Sequence, residues 1–96
     1  MSCYLYLLKT ADAFKVGYTT NPKKRFKAYK THNPSQSLEG LIEVIHKKVE
    51  KAVHVSIMRQ GYRKFPQQQE WFLGSLTLED FTKLVEDENT YYKNFY

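Results

Sequence analysis

The segment NPKKRFKAYKTHNP, residues 21–34, concentrates four lysines and one arginine. Their chemistry is to hold anions. Asn21 is a good N-cap, Pro22 a good first helical residue and Asn33-Pro34 a stop, so the spacing predicts a helix between them. At about 100° per residue, Pro22, Phe26 and Tyr29 share one side and form its buried stripe. Lys23, Lys27 and Lys30 fall on one flank, with Lys24 near the outer side. Arg25 and His32 lie on the opposite flank, beside the apolar stripe, and Arg25 stands four residues before Tyr29, within side-chain reach. Two jobs fit this division: the lysines attract a phosphate backbone diffusely, and Arg25 presents a rigid fork to one phosphate. For the helix by itself, a solvated basic face with Arg25 covering the helix edge is the plainer reading.

The charge balance points the same way. The chain carries a net charge of +5, and residues 1–48 hold nine Lys/Arg against three acids, whereas residues 49–96 hold six against seven. An electropositive front half implies an anionic partner, nucleic acid or another phosphate-bearing molecule. With 96 residues, 42% hydrophobic and 26% charged, the chain is expected to form one globular domain with a modest core. No run of about 18 apolar residues is present. The start MSCYLYLLKT has neither a basic leader nor a small-residue cleavage site, so no signal peptide is expected. The single cysteine, Cys3, forms no internal disulfide and reads as a small packing residue in a reducing compartment. The expected location is intracellular, cytoplasmic or nuclear. No Cys/His spacing for zinc, phosphate-binding glycine loop or specific Ser/His/Asp arrangement occurs.

Other elements must position the basic helix. YLYLLK and FKVGYT read as two strands joined by TADA in a hairpin. With a loop of two or four residues, Lys9 lies opposite Phe14, Leu7 opposite Val16 and Leu5 opposite Tyr18. Tyr4, Tyr6, Leu8, Lys15, Gly17 and Thr19 then share the other face, with Tyr6 across from Gly17 and Lys15 one diagonal step away. Residues 38–46, LEGLIEVIH, are expected as a third strand without clean alternation. Residues 48–60 form a second helix burying Val49, Ala52, Val53, Ser56 and Ile57, with Glu50 and His54 one turn apart on its polar edge. GYRKFPQQQ reads as a loop and EWFL as a short buried or strand-like piece, Trp71 and Phe72 supplying core. TLEDFTKLVEDE takes Thr77 as N-cap and buries Leu78, Phe81, Leu84 and Val85. The tail NTYYKNFY is weakly patterned.

A first strand with Y-L-Y, a second with K-V-G and an arginine eight residues past that glycine resemble the GIY-YIG nuclease superfamily. The T5orf172-like branch is the closer resemblance, through the N-P after the first helix, the E-x-x-x-H of Glu50 to His54 and the E-W-F of Glu70 to Phe72. The likeness covers roughly residues 4 to 85. It implies that Tyr6 stands for the first motif's tyrosine, Gly17 for the second motif's glycine and Arg25 for the catalytic arginine. Lys15 takes the place of the second motif's tyrosine, a departure shared by this branch, and Tyr4 replaces a glycine. For the metal-binding glutamate, many superfamily members point to the second helix, near Glu50 or His54, while the E-W-F points to Glu70, which is taken as the ligand. Tyr29 lies where some members have a histidine near the phosphate.

The implied chemistry is coherent. Phosphodiester hydrolysis needs an activated water, neutralised phosphate charge and a stabilised leaving oxygen. One Mg²⁺ or Mn²⁺ held by a single carboxylate and waters is a normal arrangement. Arg25 would hold a phosphate oxygen and Tyr6 would act as general base. A phenol with an ordinary pKa near 10 is a poor base at neutral pH, and a neighbouring cation such as Lys15 favours the phenolate. His54 completes the catalytic candidates, and Lys23, Lys24, Lys27 and Lys30 the nucleic-acid-binding ones. His32 and His46 have no partner pattern.

The expectation is therefore an α/β domain over residues 1–96, with a core at about 4–85 and an aromatic tail at 89–96. Its sheet is small, antiparallel and three-stranded, flanked by three helices. The function expected is that of a metal-dependent endonuclease acting on DNA, with RNA left open. A catalytically inactive nucleic-acid-binding module on the same fold is the alternative, and an interaction domain using the aromatic tail a weaker third. Monomer and homodimer both fit, and the compact design is compatible with a viral or phage source.

Overall fold

The computed structural model describes residues 2–32, 37–65 and 68–94, with the side chains of 28–32, 65 and 68–70 outside the description. The elements in chain order are β1 (Cys3–Lys9), β2 (Ala13–Thr19), α1 (Pro22–His32), β3 (Ser37–Val44), α2 (Lys48–Arg59), β4 (Lys64–Phe65), β5 (Gln68–Leu73) and α3 (Leu78–Lys93). The strands form one antiparallel sheet in the order β3-β1-β2-β5-β4. Helices α2 and α3 cover one face, and α1 lies against the other.

The hairpin register is the one expected from alternation. Lys9 pairs with Phe14, Leu7 with Val16, Tyr6 with Gly17 and Leu5 with Tyr18. Leu5, Leu7, Phe14 and Val16 thus share a face, and they join Val49, Val53 and Ile57 of α2 and Phe81 and Val85 of α3 in the core. Burying each such side chain contributes roughly 1.5–3 kcal/mol. This burial holds the layers together.

The three-stranded expectation is too small. Four strands of six to eight residues and the two-residue β4 make the sheet. β5 extends it because Phe72 stacks on Phe14, ring centroids 5.4 Å apart, and Trp71 pairs with Lys15. The run QQQEWFL hides this strand, since its polar half shows no alternation. Phe72 is fully buried, as expected, while Trp71 is only half-buried.

β3 has no clean alternation for two physical reasons. Its ladder with β1 shifts between Leu7 and Leu8, where Leu7 pairs with Gly40 and Leu8 with Leu38, so Glu39 is the extra residue of a bulge. Beyond the bulge both faces are partly covered. Leu41 pairs with Tyr6 on the α1 face, and Gly40 lies beneath Leu78 and Phe81 of α3.

Helix ends follow local chemistry. Asn21 Oδ1 accepts from Lys24 N at 3.1 Å and Thr77 Oγ1 from Asp80 N at 3.1 Å, both as expected of N-caps. α2 closes at Gly61, whose φ of 97° a side chain would strain. α3 runs further than its core pattern indicates and absorbs the tail through Lys93. Ser56 Oγ donates to Glu88 at 3.1 Å and Ile45 N donates to Asn89 Oδ1 at 2.7 Å, while Tyr92 packs on the core. Phe81 and Val85 are buried as expected, but Leu78, at the first turn, is 49% exposed.

Gly17 is where backbone and ring approach most closely. A methyl group there would overlap the Tyr6 ring at its hydroxyl end. Gly17→Ala is therefore expected to cost about 1–3 kcal/mol, the usual range for overpacking. Urea denaturation checks this, and a variant as stable as wild type would show that the ring is not held against the backbone.

Candidate nucleic-acid interface

On the α1 face, Tyr6 is the central side chain. It is 1% exposed, crosses Gly17 and meets Phe26 of α1 edge-on at 6.0 Å between ring centroids. Lys15 Nζ lies 5.8 Å from the Tyr6 centroid, within cation–π range. The structure thus brings Tyr6, Lys15 and Gly17 together. It also shuts the Tyr6 ring beneath α1.

Packing Phe26 onto Tyr6 turns the next positions of α1 outward. Lys23, Lys24, Arg25 and Lys27 are exposed, and the side chains of Tyr29, Lys30 and His32 lie outside the described residues. Arg25 and Lys24 line a cleft of about 430 Å³ with Tyr18, Thr19, Thr20 and Asn21. Its floor is well fixed: Thr19 is buried, and its Oγ1 accepts from Asn21 N at 3.0 Å. Arg25 shares this cleft with Lys24, whereas Lys23 and Lys27 do not line it. Two cations beside the first turn of a helix favour an anion there.

A second cleft, about 510 Å³, opens at the start of α2, where His46, Lys47, Lys48, Glu50, Lys51 and His54 line it with Lys64. Glu50 is half-buried, with its Oε2 shielded from solvent. His54 is not on the polar edge of α2 as the helix pattern implied: it is 9% exposed and its Nε2 lies 2.7 Å from the Val16 carbonyl. A carbonyl only accepts, so Nε2 carries the proton. The described β2–β5 pairing ends at Lys15–Trp71, and His54 takes up the next β2 carbonyl. Phe72 packs against its ring, 5.5 Å between centroids. His46, which showed no partner pattern, caps α2: Lys48 N donates to its Nδ1 at 3.0 Å.

Tyr18 joins the two clefts, and sequence reasoning missed it. Its ring lines the Arg25 cleft, and Lys47 Nζ sits 5.8 Å from its centroid. Burial raises its phenol above the ordinary 10.0, reinforced by charge at neighbouring Cys3, by the hydrogen bond the phenol donates to the Cys3 sulfur and by the negative charge of Glu50. Cys3 itself packs as expected, buried and donating to the Val44 carbonyl at 3.1 Å. Position 18 alternates with Leu5, Leu7, Phe14 and Val16, so the pattern marks it as core. Only its place at the strand end, one turn from the lysines of two helices, marks it as more.

Glu70 falls in β5, and its side chain lies outside the described residues. Among the described residues, no group of three or more His, Cys, Asp or Glu side chains comes together. No described helix is long and apolar enough to cross a membrane.

An antiparallel sheet with one helix on one face, two on the other and basic clefts at one end defines a small α/β domain built to meet anions. The chain belongs to the T5orf172 domain family, which matches residues 3–87, a branch of the GIY-YIG-like nuclease superfamily. Its fold is nuclease-like and its family theme is nucleic-acid interaction. No curated protein and no solved structure matches the chain.

The raised Tyr18 value has a direct consequence. The folded state keeps this proton to higher pH than the unfolded chain, so the associated stability is complete below pH 10.0 and is lost as pH rises through the folded value. Tyr18→Phe removes that loss. Urea midpoints measured from pH 8 upward should therefore shift in favour of the variant above about pH 10; a gap constant with pH would contradict it.

Proposed function

We propose that the protein is a metal-dependent endonuclease that hydrolyses phosphodiester bonds in DNA. The observation that carries this reading is that Arg25 and Glu50 both come near Tyr18: the arginine lines a cleft with it, and the carboxylate lies close enough to act on its phenol. Arg25 holds a non-bridging phosphate oxygen through its planar fork, and Lys24 adds charge beside it. Lys23, Lys27 and Lys30 attract the flanking backbone.

The carboxylates fit a Mg²⁺ or Mn²⁺ ion by their chemistry. One carboxylate with waters suffices for such an ion. Glu50 offers a half-buried carboxylate in a cleft, and the E-W-F motif supports Glu70 as the other candidate ligand. When bound, the ion supplies neutralisation of phosphate charge and a more acidic water. The lysines around Glu50 disfavour a cation by itself, and an entering phosphate offsets them. Tyr6, beside Lys15, takes the proton of the attacking water, which requires α1 to move off its ring. His54 acts as a positioning residue, holding α2 and with it Glu50 against β2.

A second reading, a nucleic-acid-binding module without catalysis, is favoured by one observation. Tyr6 is closed over by Phe26, and a general base must reach the proton it removes.

Cleavage of supercoiled plasmid and of a branched DNA with Mg²⁺ or Mn²⁺ separates the two. The wild type is expected to cut, and Arg25→Ala to lose about 100-fold or more in rate, as when one charge-stabilising donor is removed. Glu50→Gln and Glu70→Gln, compared side by side, identify the ligand: its loss abolishes cutting while DNA binding persists. A folded wild type that binds DNA yet cuts no substrate establishes the binding module.

A further inference from the structure

β1 runs antiparallel to both β2 and β3, so β2 and β3 point the same way and end at the same end of the sheet. α1 starts directly after β2, and α2 after β3. Both helices therefore begin at one sheet end, α1 on the Tyr6 face and α2 on the core face. Each start carries cations: Lys23, Lys24 and Arg25 on one side, Lys47, Lys48 and Lys51 on the other, with Lys24, Arg25, Lys47, Lys48 and Lys51 all open to solvent. Tyr18 stands between the groups, lining the first cleft and lying under Lys47 of the second. α3 is charged oppositely, holding Glu79, Asp80, Glu86, Asp87 and Glu88 against Lys83 and Lys93, and its Glu88 shares a groove with Lys48 and Lys51, which marks the edge of the cationic surface there.

We propose that Lys47, Lys48 and Lys51 form a second phosphate-binding surface, on the opposite face of the sheet from the α1 cations, and that the two surfaces grip the two strands of a duplex. The proposal rests on the reading that the partner is nucleic acid, and it is independent of catalysis. A single strand offers one backbone, which one cationic groove can follow. Here the cations sit on two faces with the sheet end between them, an arrangement that two phosphate tracks separated by a groove can satisfy together.

The test is binding without metal, in chelator, read by fluorescence anisotropy with a duplex of about 20 base pairs and with one of its strands alone. For the Lys47→Ala, Lys48→Ala, Lys51→Ala triple variant, the slope of log affinity against log salt on the duplex should fall by about 0.9 for each phosphate that is no longer neutralised. Affinity for the single strand should stay within about twofold. Lys83→Ala, on α3, should leave both unchanged. Single Lys→Gln variants, each lowering the slope by a part, guard against loss of fold in the triple variant. An unchanged duplex slope, or equal losses on duplex and single strand, would overturn the second surface whatever the cleavage result. A lowered duplex slope in a protein that cuts nothing would uphold the surface and remove only the nuclease reading.

Discussion

The hydroxyl end of the Tyr6 ring lies against Gly17 because no Cβ stands in its way, and most of the molecule is arranged around that contact. It fixes which face of the hairpin is which: a slip of one residue would move every side chain of β1 and β2 to the wrong side. With Tyr6 on one face, Leu5 and Leu7 must meet α2 and α3 on the other. The ring also gives α1 its seat through Phe26, and that seat turns Arg25 and the lysines toward solvent. The placing of Arg25 and Lys24 at a cleft that Lys23 and Lys27 do not line is thus a packing result before it is a chemical one.

A second set of restraints ties the two faces to each other. The bond from His54 to the Val16 carbonyl fixes α2 against the same strand that carries Gly17 on its opposite side. Thr19, three residues on, holds the entry to α1. Within one short strand, neighbouring positions therefore set the placement of two helices. Tyr18, between them, lines the Arg25 cleft and lies beneath Lys47 of the other, and its neutral phenol suits a position where burial, Cys3 and Glu50 oppose a negative charge.

How legible this was depended on where each side chain gets its partner. The hairpin register, both N-caps and the core residues Val49, Val53 and Ile57 of α2 and Phe81 and Val85 of α3 followed from alternation and local chemistry, while Leu78 at the first turn of α3 did not. β5 did not, because its pairing rests on the distant stacking of Phe72 on Phe14, and QQQE carries no strand signal. His54 was misplaced because a polar residue beside an apolar stripe looks solvent-facing until a strand carbonyl ends up beneath it. Tyr18 was hidden by parity, since its alternation marks it as core and only the shared end of two helices gives it a surface role. Arg25 and the lysines were legible as a basic face; the second cationic group, on α2, emerged only from strand direction.

β3 ends the sheet on one side, with Glu39 at its bulge and Glu43 further along, both exposed. Leu38 and Leu41 on the same strand are also exposed, the combination that invites a neighbouring chain to pair. If a second copy paired antiparallel about Leu41, Glu39 of one would face Glu43 of the other, and the carboxylates would repel. The bulge spoils the flat register on which such growth relies. Colloidal behaviour is thereby linked to two side chains: without the charges at positions 39 and 43, the outer strand would lose its repulsion and become the surface through which copies stick.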